Sequence, residues 1–221
     1  MRPRILLTGF KPFGSLEINP TEQLMHALVE LPEFSDASIE PVVLDTDYVL
    51  CERQLCEAVQ RFAPHAILSF GVSMGTDELC LERIAVNLDE AGIPDSGGHL
   101  RAGEPIVKEG PVGYWATLAL DGLCEALVEA GIPVRFSNHA GTYVCNHLFY
   151  YGSHLTQTLG SGIAMGFVHV PPLPEQVREG SRARMGMELA TLVKAARVCV
   201  GAIVRDLACP RERVEKAGPI L

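Results

Sequence analysis

Short apolar runs alternate with longer segments of helical periodicity along most of the chain. The runs that predict strands fall at residues 4–8, 38–44, 66–71, 79–88, 132–136 and 163–170. Apolar residues at helical spacing predict helices at residues 19–31, 47–62, 113–130, 144–159 and 185–207. Helices between strands are typical of a mostly parallel sheet covered on both faces, which predicts the α/β class. No linker or internal repeat interrupts the pattern, so residues 1–221 are expected to form one domain.

The loops that follow the strands are the segments where chemistry is expected. In open α/β sheets, ligands bind beyond the carboxyl ends of the strands. Three loops fall there, at residues 10–14, 71–76 and 137–146, and His169 lies at the end of the last strand. Residues 89–109 are rich in turn-forming residues, and a segment of that length predicts a lid, a binding loop or an interface arm.

Composition narrows the classes of partner and the compartment. The chain has 221 residues and a formal net charge of −9, from 27 acidic and 18 basic residues, without a basic cluster. This balance argues against nucleic acid or a membrane as a partner, and no apolar run is long and clean enough to span a bilayer. The 7 cysteines contain no Cys-x-x-Cys pair. No secretory signal precedes them, which favours reduced thiols and a cytoplasmic location.

Cys145 is the main candidate for a nucleophile. It follows a predicted strand and a turn of small residues, and it stands at the start of a predicted helix. A thiol is mostly protonated at neutral pH, and a helix N-terminus or a neighbouring base activates it. The candidate bases are His139, His147, His154 and His169. His169 is favoured because its strand is expected to neighbour the one before Cys145, whereas His147 points to another face of the helix. Glu82 or Asp89 could orient the imidazole.

Each of these residues also has an ordinary structural interpretation. Cys145 taken alone is equally well explained as a buried thiol, and His169 as a hydrogen-bonded histidine of the core. Glu82 taken alone would be a surface carboxylate, while Phe10 and Phe13 would be core residues. Without further information, the pattern therefore indicates only a thiol hydrolase.

Several separated motifs make the prediction more specific. They are TGFKPFG at residues 8–14 with Asn19-Pro20, LERIAVN at residues 81–87, Ile93-Pro94-Asp95, SNHAGTYVCN at residues 137–146 and FVHVP at residues 167–171. Together they resemble the motifs of the pyroglutamyl peptidase I family, the pyrrolidone-carboxylate peptidases, and they extend over nearly the whole chain. The resemblance implies a three-layer α/β/α sandwich with a mostly parallel mixed sheet, of the phosphorylase/hydrolase-like type.

The resemblance also implies a mechanism, a substrate and an assembly. Cys145 would be the nucleophile, His169 the general base and then acid, and Glu82 the carboxylate that orients the imidazole. The implied reaction removes an amino-terminal pyroglutamyl (5-oxoprolyl) residue from peptides through a thioester, with no metal or other cofactor. The implied assembly is a homo-oligomer, either a tetramer or a dimer.

The chemistry of pyroglutamate indicates what its pocket should contain. The group is a small neutral lactam, so it needs apolar walls and a few groups that pair with its N–H and C=O. A charged amino terminus would lose its hydration there without a partner and should be rejected. The expected substrate-binding residues are Phe10, Phe13, Asn19, Ile93, Tyr143 and Val144. The backbone N–H of Cys145 is expected to stabilise the oxyanion.

Two departures from the family pattern keep other functions open. Gly92 stands where many relatives have arginine in A-R-I-P-D, and residues 72–77 read VSMGTD where relatives often carry a glycine-rich G-G-R segment. Arg101 is a candidate to replace the missing arginine. The alternatives are a family member that binds cyclic amides or peptides without cleaving them, a related enzyme such as a nucleoside phosphorylase, and a purely structural oligomer. No glycine-rich phosphate loop with basic residues supports the phosphorylase.

Overall fold

A six-stranded sheet forms the centre of the computed structural model. The structure describes residues 2–30, 34, 36–160, 162–178, 180 and 182–209, together with the backbone of residues 219 and 220. In chain order the elements are β1 (Arg4–Phe10), α1 (Pro20–Glu30), β2 (Ser38–Leu44), α2 (Tyr48–Phe62), β3 (Ala66–Val72), β4 (Leu79–Glu82), β5 (Ile84–Val86), β6 (Asp89–Glu90), β7 (Ala102–Glu104), β8 (Gly113–Trp115), α3 (Leu120–Glu129), β9 (Val134–Ser137), α4 (Val144–Thr158), β10 (Ala164–Val170), a 3₁₀ turn (Pro174–Gln176), α5 (Leu189–Ala208) and β11 (Pro219–Ile220).

The central sheet is mixed but mostly parallel, as predicted. Its strand order is β2-β1-β3-β10-β4-β9, and every neighbouring pair is parallel except β10 and β4. Short strands form two further sheets in the order β11-β8-β5 and β6-β7. Every residue of β3 and β10 is buried, which is typical of parallel strands that are covered on both faces.

Helices cover both faces of the sheet and complete the predicted three-layer α/β/α sandwich. On one face α1, α3 and α5 bury residues such as Leu24, Leu127 and Val200. On the other face α2 and α4 bury residues such as Leu55 and Leu148. Each such side chain contributes about 1.5–3 kcal/mol on burial, so both helical layers are held firmly on the sheet. Among the described helices, none combines the length and the apolar character needed to cross a membrane.

Three predicted elements differ from the structure because tertiary contacts override the local pattern. The predicted strand at residues 79–88 divides at Arg83, where the chain leaves β4 for β5 of a different sheet. The predicted helix at residues 113–130 is wrong at its start, since residues 113–115 form β8 and pair with β5. The predicted helix at residues 185–207 begins only at Leu189, because Asp77 accepts the backbone N–H groups of residues 184–186.

The turn-rich segment at residues 89–109 contains a small hairpin formed by β6 and β7. Asp89 pairs with Glu104, and Glu90 pairs with Ala102 across a bulge. This hairpin follows β4 and β5 directly in sequence. The predicted end of the first helix at residue 31 lies outside the described residues.

Candidate active site

Cys145 lies in the first turn of α4, at the carboxyl edge of the central sheet. Tyr143 is the N-cap residue, and Val144 and Cys145 open the helix, whose start no side chain of the described residues caps. Gly141 has φ 77, a left-handed conformation that glycine adopts without steric cost, and its N–H donates to His139 Nδ1. A free helix N-terminus carries a partial positive charge, so it is a favourable place for negative charge that develops during a reaction.

The thiol of Cys145 lies against Gly71 at the end of β3. A Cβ atom on Gly71 would lie 2.7 Å from Cys145 Sγ and 2.9 Å from Phe167 Cζ. Gly71 is paired in register with His169 of β10, so the thiol and the imidazole belong to the same part of the sheet edge. The absence of a side chain at Gly71 makes this close approach possible.

The strand of His169 does not neighbour the strand before Cys145, and that prediction is wrong. β4 lies between β9 and β10 in the sheet, and because β4 is parallel to β9 and antiparallel to β10, the strand before Cys145 and the strand of His169 also run in opposite directions and not in parallel. The turn at residues 138–143 and helix α4 carry Cys145 across the sheet edge towards β3. The two groups therefore meet although their strands are not adjacent.

Glu82 is the carboxylate that faces His169. Its Oε1 lies 2.7 Å from His169 Nδ1, and both residues are buried. The antiparallel register of β4 and β10 places Glu82 opposite Phe167, so Glu82 and His169 point to the same face of the sheet. Because an ionised carboxylate only accepts hydrogen bonds, Nδ1 carries the proton and Nε2 remains for the thiol.

The charge state of His169 follows from these neighbours. Burial alone would lower the pKa of His169, but the charge of Cys145, the hydrogen bond with it and the interactions with Glu82 outweigh burial and raise this pKa to about 10. The imidazole therefore holds a proton at neutral pH when the thiolate faces it. This is the ion pair that a thiol nucleophile requires.

Two of the other candidate bases, His154 and His147, are bonded to other side chains. His154 Nδ1 lies 2.7 Å from the Tyr114 hydroxyl, at the side of the molecule where α4 meets β8. His147 Nδ1 lies 2.8 Å from Asp89 Oδ2, and its Nε2 lies 3.0 Å from Glu52 Oε1. Asp89, the alternative orienting carboxylate, therefore serves a different histidine.

A small apolar pocket opens beside the thiol. Its lining residues are Phe10, Phe13, Asn19, Thr46, Val72, Tyr143, Val144 and Cys145. The structure thus brings most of the expected substrate-binding residues together. Ile93 is not among the lining residues and is 49% exposed. Thr46 and Val72 were missed by sequence reasoning, although Thr46 follows β2 and Val72 ends β3 at the carboxyl edge, where ligands of such folds bind.

The polar side chains in the lining are used to hold the loop after β1. Asn19 Nδ2 and Thr46 Oγ1 both donate to the carbonyl of Lys11. Asn19 Oδ1 in turn accepts from the backbone and hydroxyl of Thr21. These bonds fix the loop that carries Phe13 and leave the surface facing the pocket apolar.

Asn146 is a further residue that sequence reasoning missed. Its side chain is fully buried and makes three hydrogen bonds, one from the N–H of Val86 and one each to the carbonyls of Val86 and Leu88. These bonds join the nucleophile helix to the segment that follows Glu82. The residue directly after the thiol therefore holds the neighbouring strand in place.

The structure does not bring Arg101 to the pocket. Its guanidinium pairs with Glu104 and lies 5.4 Å from the centre of the Tyr48 ring. Gly92 faces open space, with no atom within 4 Å of a Cβ placed there. Among the lining residues of the described chain there is no lysine or arginine.

Asp47, Asp95 and His99 form a cluster whose ligand atoms lie within 4.8 Å of one another. Both carboxylates already accept backbone hydrogen bonds. Asp47 caps the start of α2, and Asp95 accepts the N–H groups of Tyr48, Gly97 and His99. These bonds give the cluster a structural role in holding the loop to α2.

An α/β sheet that gathers a thiol, an imidazole and a carboxylate beside the ends of β3 and β10 has the arrangement of a cysteine hydrolase. Comparison with known proteins makes the class specific. The family model described as pyroglutamyl peptidase matches residues 3–206, and the chain belongs to this family.

Relatives and solved structures agree with this assignment. The chain is 35% identical over 191 residues to the pyrrolidone-carboxylate peptidase of Vibrio parahaemolyticus, covering 84% of this chain and 86% of the relative. It is also 35% identical to that of Coprothermobacter proteolyticus over 206 residues, covering 92% and 98%. The pyrrolidone carboxyl peptidase of Thermococcus litoralis superposes with a TM-score of 0.89 at 30% identity, covering 96% and 98%. Pyroglutamyl peptidase I of Bacillus amyloliquefaciens superposes with a TM-score of 0.85 at 33% identity, covering 92% and 97%.

Proposed function

We propose that this protein is a cysteine omega-peptidase that removes an amino-terminal pyroglutamyl residue from peptides. The observation that carries the proposal is the 2.7 Å contact of His169 with Glu82, beside Cys145 at the mouth of an apolar pocket. Family membership supplies the substrate class, since its relatives are named pyrrolidone-carboxylate peptidases. A non-catalytic binder gains no support, because thiol, imidazole and carboxylate are all present.

Acylation begins at the thiolate of Cys145, whose proton has passed to His169. The thiolate attacks the carbonyl carbon of the scissile amide, and a carbon–sulfur bond forms. His169 Nε2 then donates its proton to the leaving amine, and the carbon–nitrogen bond breaks. Glu82 keeps the imidazole in the correct tautomer and orientation throughout. The product of this step is a pyroglutamyl thioester.

Hydrolysis of the thioester uses the same groups in reverse. Neutral His169 removes a proton from water, the hydroxide attacks the thioester, and the proton returns to the sulfur of Cys145 as free pyroglutamate leaves. In both steps the carbonyl oxygen gains negative charge. The N–H of Cys145 at the start of α4 stabilises that charge, with help from the helix dipole.

The lactam ring binds in the apolar pocket against Phe13 and Tyr143, whose rings pack together with their centres 5.8 Å apart and form one wall. Phe10, Val72 and Val144 supply further apolar surface, and Asn19 and Thr46 hold the loop after β1. Ile93 contacts the substrate at the rim. Among the described residues that line the pocket, none is acidic and able to pair with an ammonium group, so a peptide with a free amino terminus is rejected.

We further propose that residues 1–221 act as one domain in the cytoplasm, as a homo-oligomer such as a dimer or tetramer. All seven cysteines are free, which suits a reducing compartment. The net charge of −9 argues against nucleic acid and membrane partners. Light scattering coupled to gel filtration measures the assembly, and a monomer at micromolar concentration would contradict the oligomer.

The decisive experiment is turnover of pyroglutamyl-7-amido-4-methylcoumarin by the purified chain. We expect hydrolysis of this substrate but none of the matching prolyl substrate, whose ring nitrogen is a charged amine. Cys145→Ser should abolish turnover while the urea unfolding curve stays unchanged. A well-folded wild-type protein without activity would refute the proposed function, and activity retained in Cys145→Ser would exclude Cys145 as the nucleophile.

A further inference from the structure

A second buried histidine lies between two carboxylates behind the wall of the pocket. His147 contacts Asp89 at 2.8 Å through Nδ1 and Glu52 at 3.0 Å through Nε2. His147 and Asp89 are 3% and 2% exposed at their side chains, and Glu52 is 30% exposed. Both ring nitrogens can donate to a carboxylate only when the imidazole is protonated. The bridge joins α2, β6 and α4.

The surroundings favour the protonated form of this imidazole. Burial alone would lower the pKa of His147, but its hydrogen bonds with Asp89 and Glu52 outweigh burial and raise this pKa above the usual value. A positive charge between two negative charges then holds the three elements together. The mechanism proposed above does not use this cluster.

A row of aromatic rings connects His147 to the pocket. The ring centre of His147 lies 5.0 Å from that of Tyr48, and Tyr48 lies edge-on to Tyr143 at 5.9 Å. Tyr143 in turn packs against Phe13 at 5.8 Å, and both residues line the pocket. Tilted and edge-on aromatic pairs pack with specific geometry, so a displacement of Tyr48 is passed on to Tyr143.

The Asp89 side of the bridge reaches the same pocket wall through hydrogen bonds. Glu90 donates its N–H to the carbonyl of Thr142 at 2.9 Å, and the Thr142 hydroxyl donates to the carbonyl of Glu90 at 2.7 Å. Further along the segment, the Tyr143 hydroxyl donates to the carbonyl of Pro94 at 3.0 Å. The segment that begins at Asp89 therefore holds the backbone just before Tyr143, through Thr142, and the hydroxyl of Tyr143 itself.

We propose that His147 is a positioning residue for the pyroglutamyl pocket: by joining Asp89 and Glu52 to the nucleophile helix it sets the position of Tyr143. This inference rests on the proposed function, because it assigns that wall to the binding of the lactam ring. His147 itself touches neither the substrate nor the reacting atoms. Its removal should therefore weaken substrate binding more than it slows the chemical step.

The test is His147→Gln in the full-length chain, measured with the pyroglutamyl coumarin substrate. We expect KM to rise about 2- to 30-fold, the range found for residues that couple sites through a packed network, with kcat nearly unchanged. The rate of iodoacetamide alkylation at Cys145, followed by mass spectrometry of its peptide, should also stay unchanged. Deuterium exchange at the amide of Glu90 should become faster.

His154→Gln is the matched control, since His154 lies on the same helix and bonds to Tyr114 away from the pocket. It should leave KM and the exchange at Glu90 as in wild type. Glu52→Gln removes only the more exposed partner and should shift KM in the same direction by less. This variant decides the matter if His147→Gln does not fold.

Three results would overturn the inference. The first is a KM in His147→Gln equal to that in His154→Gln, while wild type is active. The second is a fall in kcat or in alkylation rate without a change in KM, which would place His147 in the chemical step. If wild type itself does not hydrolyse the substrate, the proposed function fails. The inference then depends on deuterium exchange at the amide of Glu90. Equal exchange rates in His147→Gln and His154→Gln are the third result against it.

Discussion

Gly71→Ala places one methyl group directly against the thiol of Cys145. The added Cβ would lie 2.7 Å from Cys145 Sγ and 2.9 Å from Phe167 Cζ. Non-bonded carbon atoms pack at about 3.5–4.0 Å, so the methyl group overlaps the sulfur by roughly 1 Å. Phe167 is fully buried and backed by Phe149 at 5.8 Å, so its ring has little room to move. The thiol is left to rotate away from Gly71.

That rotation removes the thiol from its partner, because Gly71 and His169 are neighbours in the sheet. A misplacement of about 1 Å at a reacting group can reduce the rate about 100-fold, and we expect a loss of that order in kcat/KM. The free energy of unfolding should fall by only about 1–3 kcal/mol, as is usual for one extra methyl group in a packed core. Activity and urea unfolding measured on the same preparation separate the two effects.

Gly75→Ala is the matched control, since its Cβ would meet only Arg182, at an ordinary 3.7 Å. Its kcat/KM should stay within about twofold of wild type, as for most substitutions away from the core. The comparison tests the contact and not merely the loss of a glycine from this part of the chain. If Gly71→Ala kept the kcat/KM of wild type, the thiol could not lie against Gly71 in the working enzyme.

Three further predictions concern the groups around the thiol. Because the pKa of His169 is raised to about 10, kcat/KM should fall as the pH rises through about 10, and a profile flat to pH 11 would contradict the assignment. Protonated His169 should stabilise the fold fully below about pH 6.5, the ordinary pKa of histidine, and this stabilisation should be lost as the pH rises through about 10. Thermal unfolding temperatures measured across the pH range test this. Glu82→Gln should move the alkaline limb of the kcat/KM profile to lower pH. It should also reduce activity less than His169→Ala does, because it perturbs the orientation of the base and does not remove it. Equal losses of activity in the two variants would argue against this division of roles. Asn146→Ala should lower the free energy of unfolding in urea by about 2–4 kcal/mol, because three buried hydrogen bonds are lost. A change under about 1 kcal/mol would show that water replaces these bonds.

Much of the fold and of the candidate site can be predicted from the sequence. Alternating apolar runs and helical segments predict a helix-covered, mostly parallel sheet, and the structure confirms it. The motifs around Cys145, Glu82 and His169 identify three residues that the structure brings together beside the ends of β3 and β10. The apolar pattern suffices for the fold because the period of a strand or a helix is set by residues close in the chain, whereas the three site residues were identified through the family resemblance.

The helix predicted at residues 113–130 shows where local signals are insufficient. Its apolar spacing suits a helix, but residues 113–115 pair with β5, some thirty residues earlier, and become β8. The conformation of a short segment is decided by the strand with which it pairs, even when that strand is distant in the chain. The spacing of apolar residues within the segment carries no information about that partner strand.

The residue pattern left the choice between Glu82 and Asp89 open; the family resemblance implied Glu82, and the tertiary structure shows the contact itself. Both carboxylates lie on one short segment, and either could have oriented the base. The register of β4 against β10 brings Glu82 to His169, which is 87 residues away in the chain, while Asp89 contacts His147. The order of the strands also places Cys145 beside Gly71 of β3, although the strand before Cys145 is not a neighbour of the strand of His169. The sequence determined which groups were available for chemistry, and the pairing of distant strands determined which of them touch.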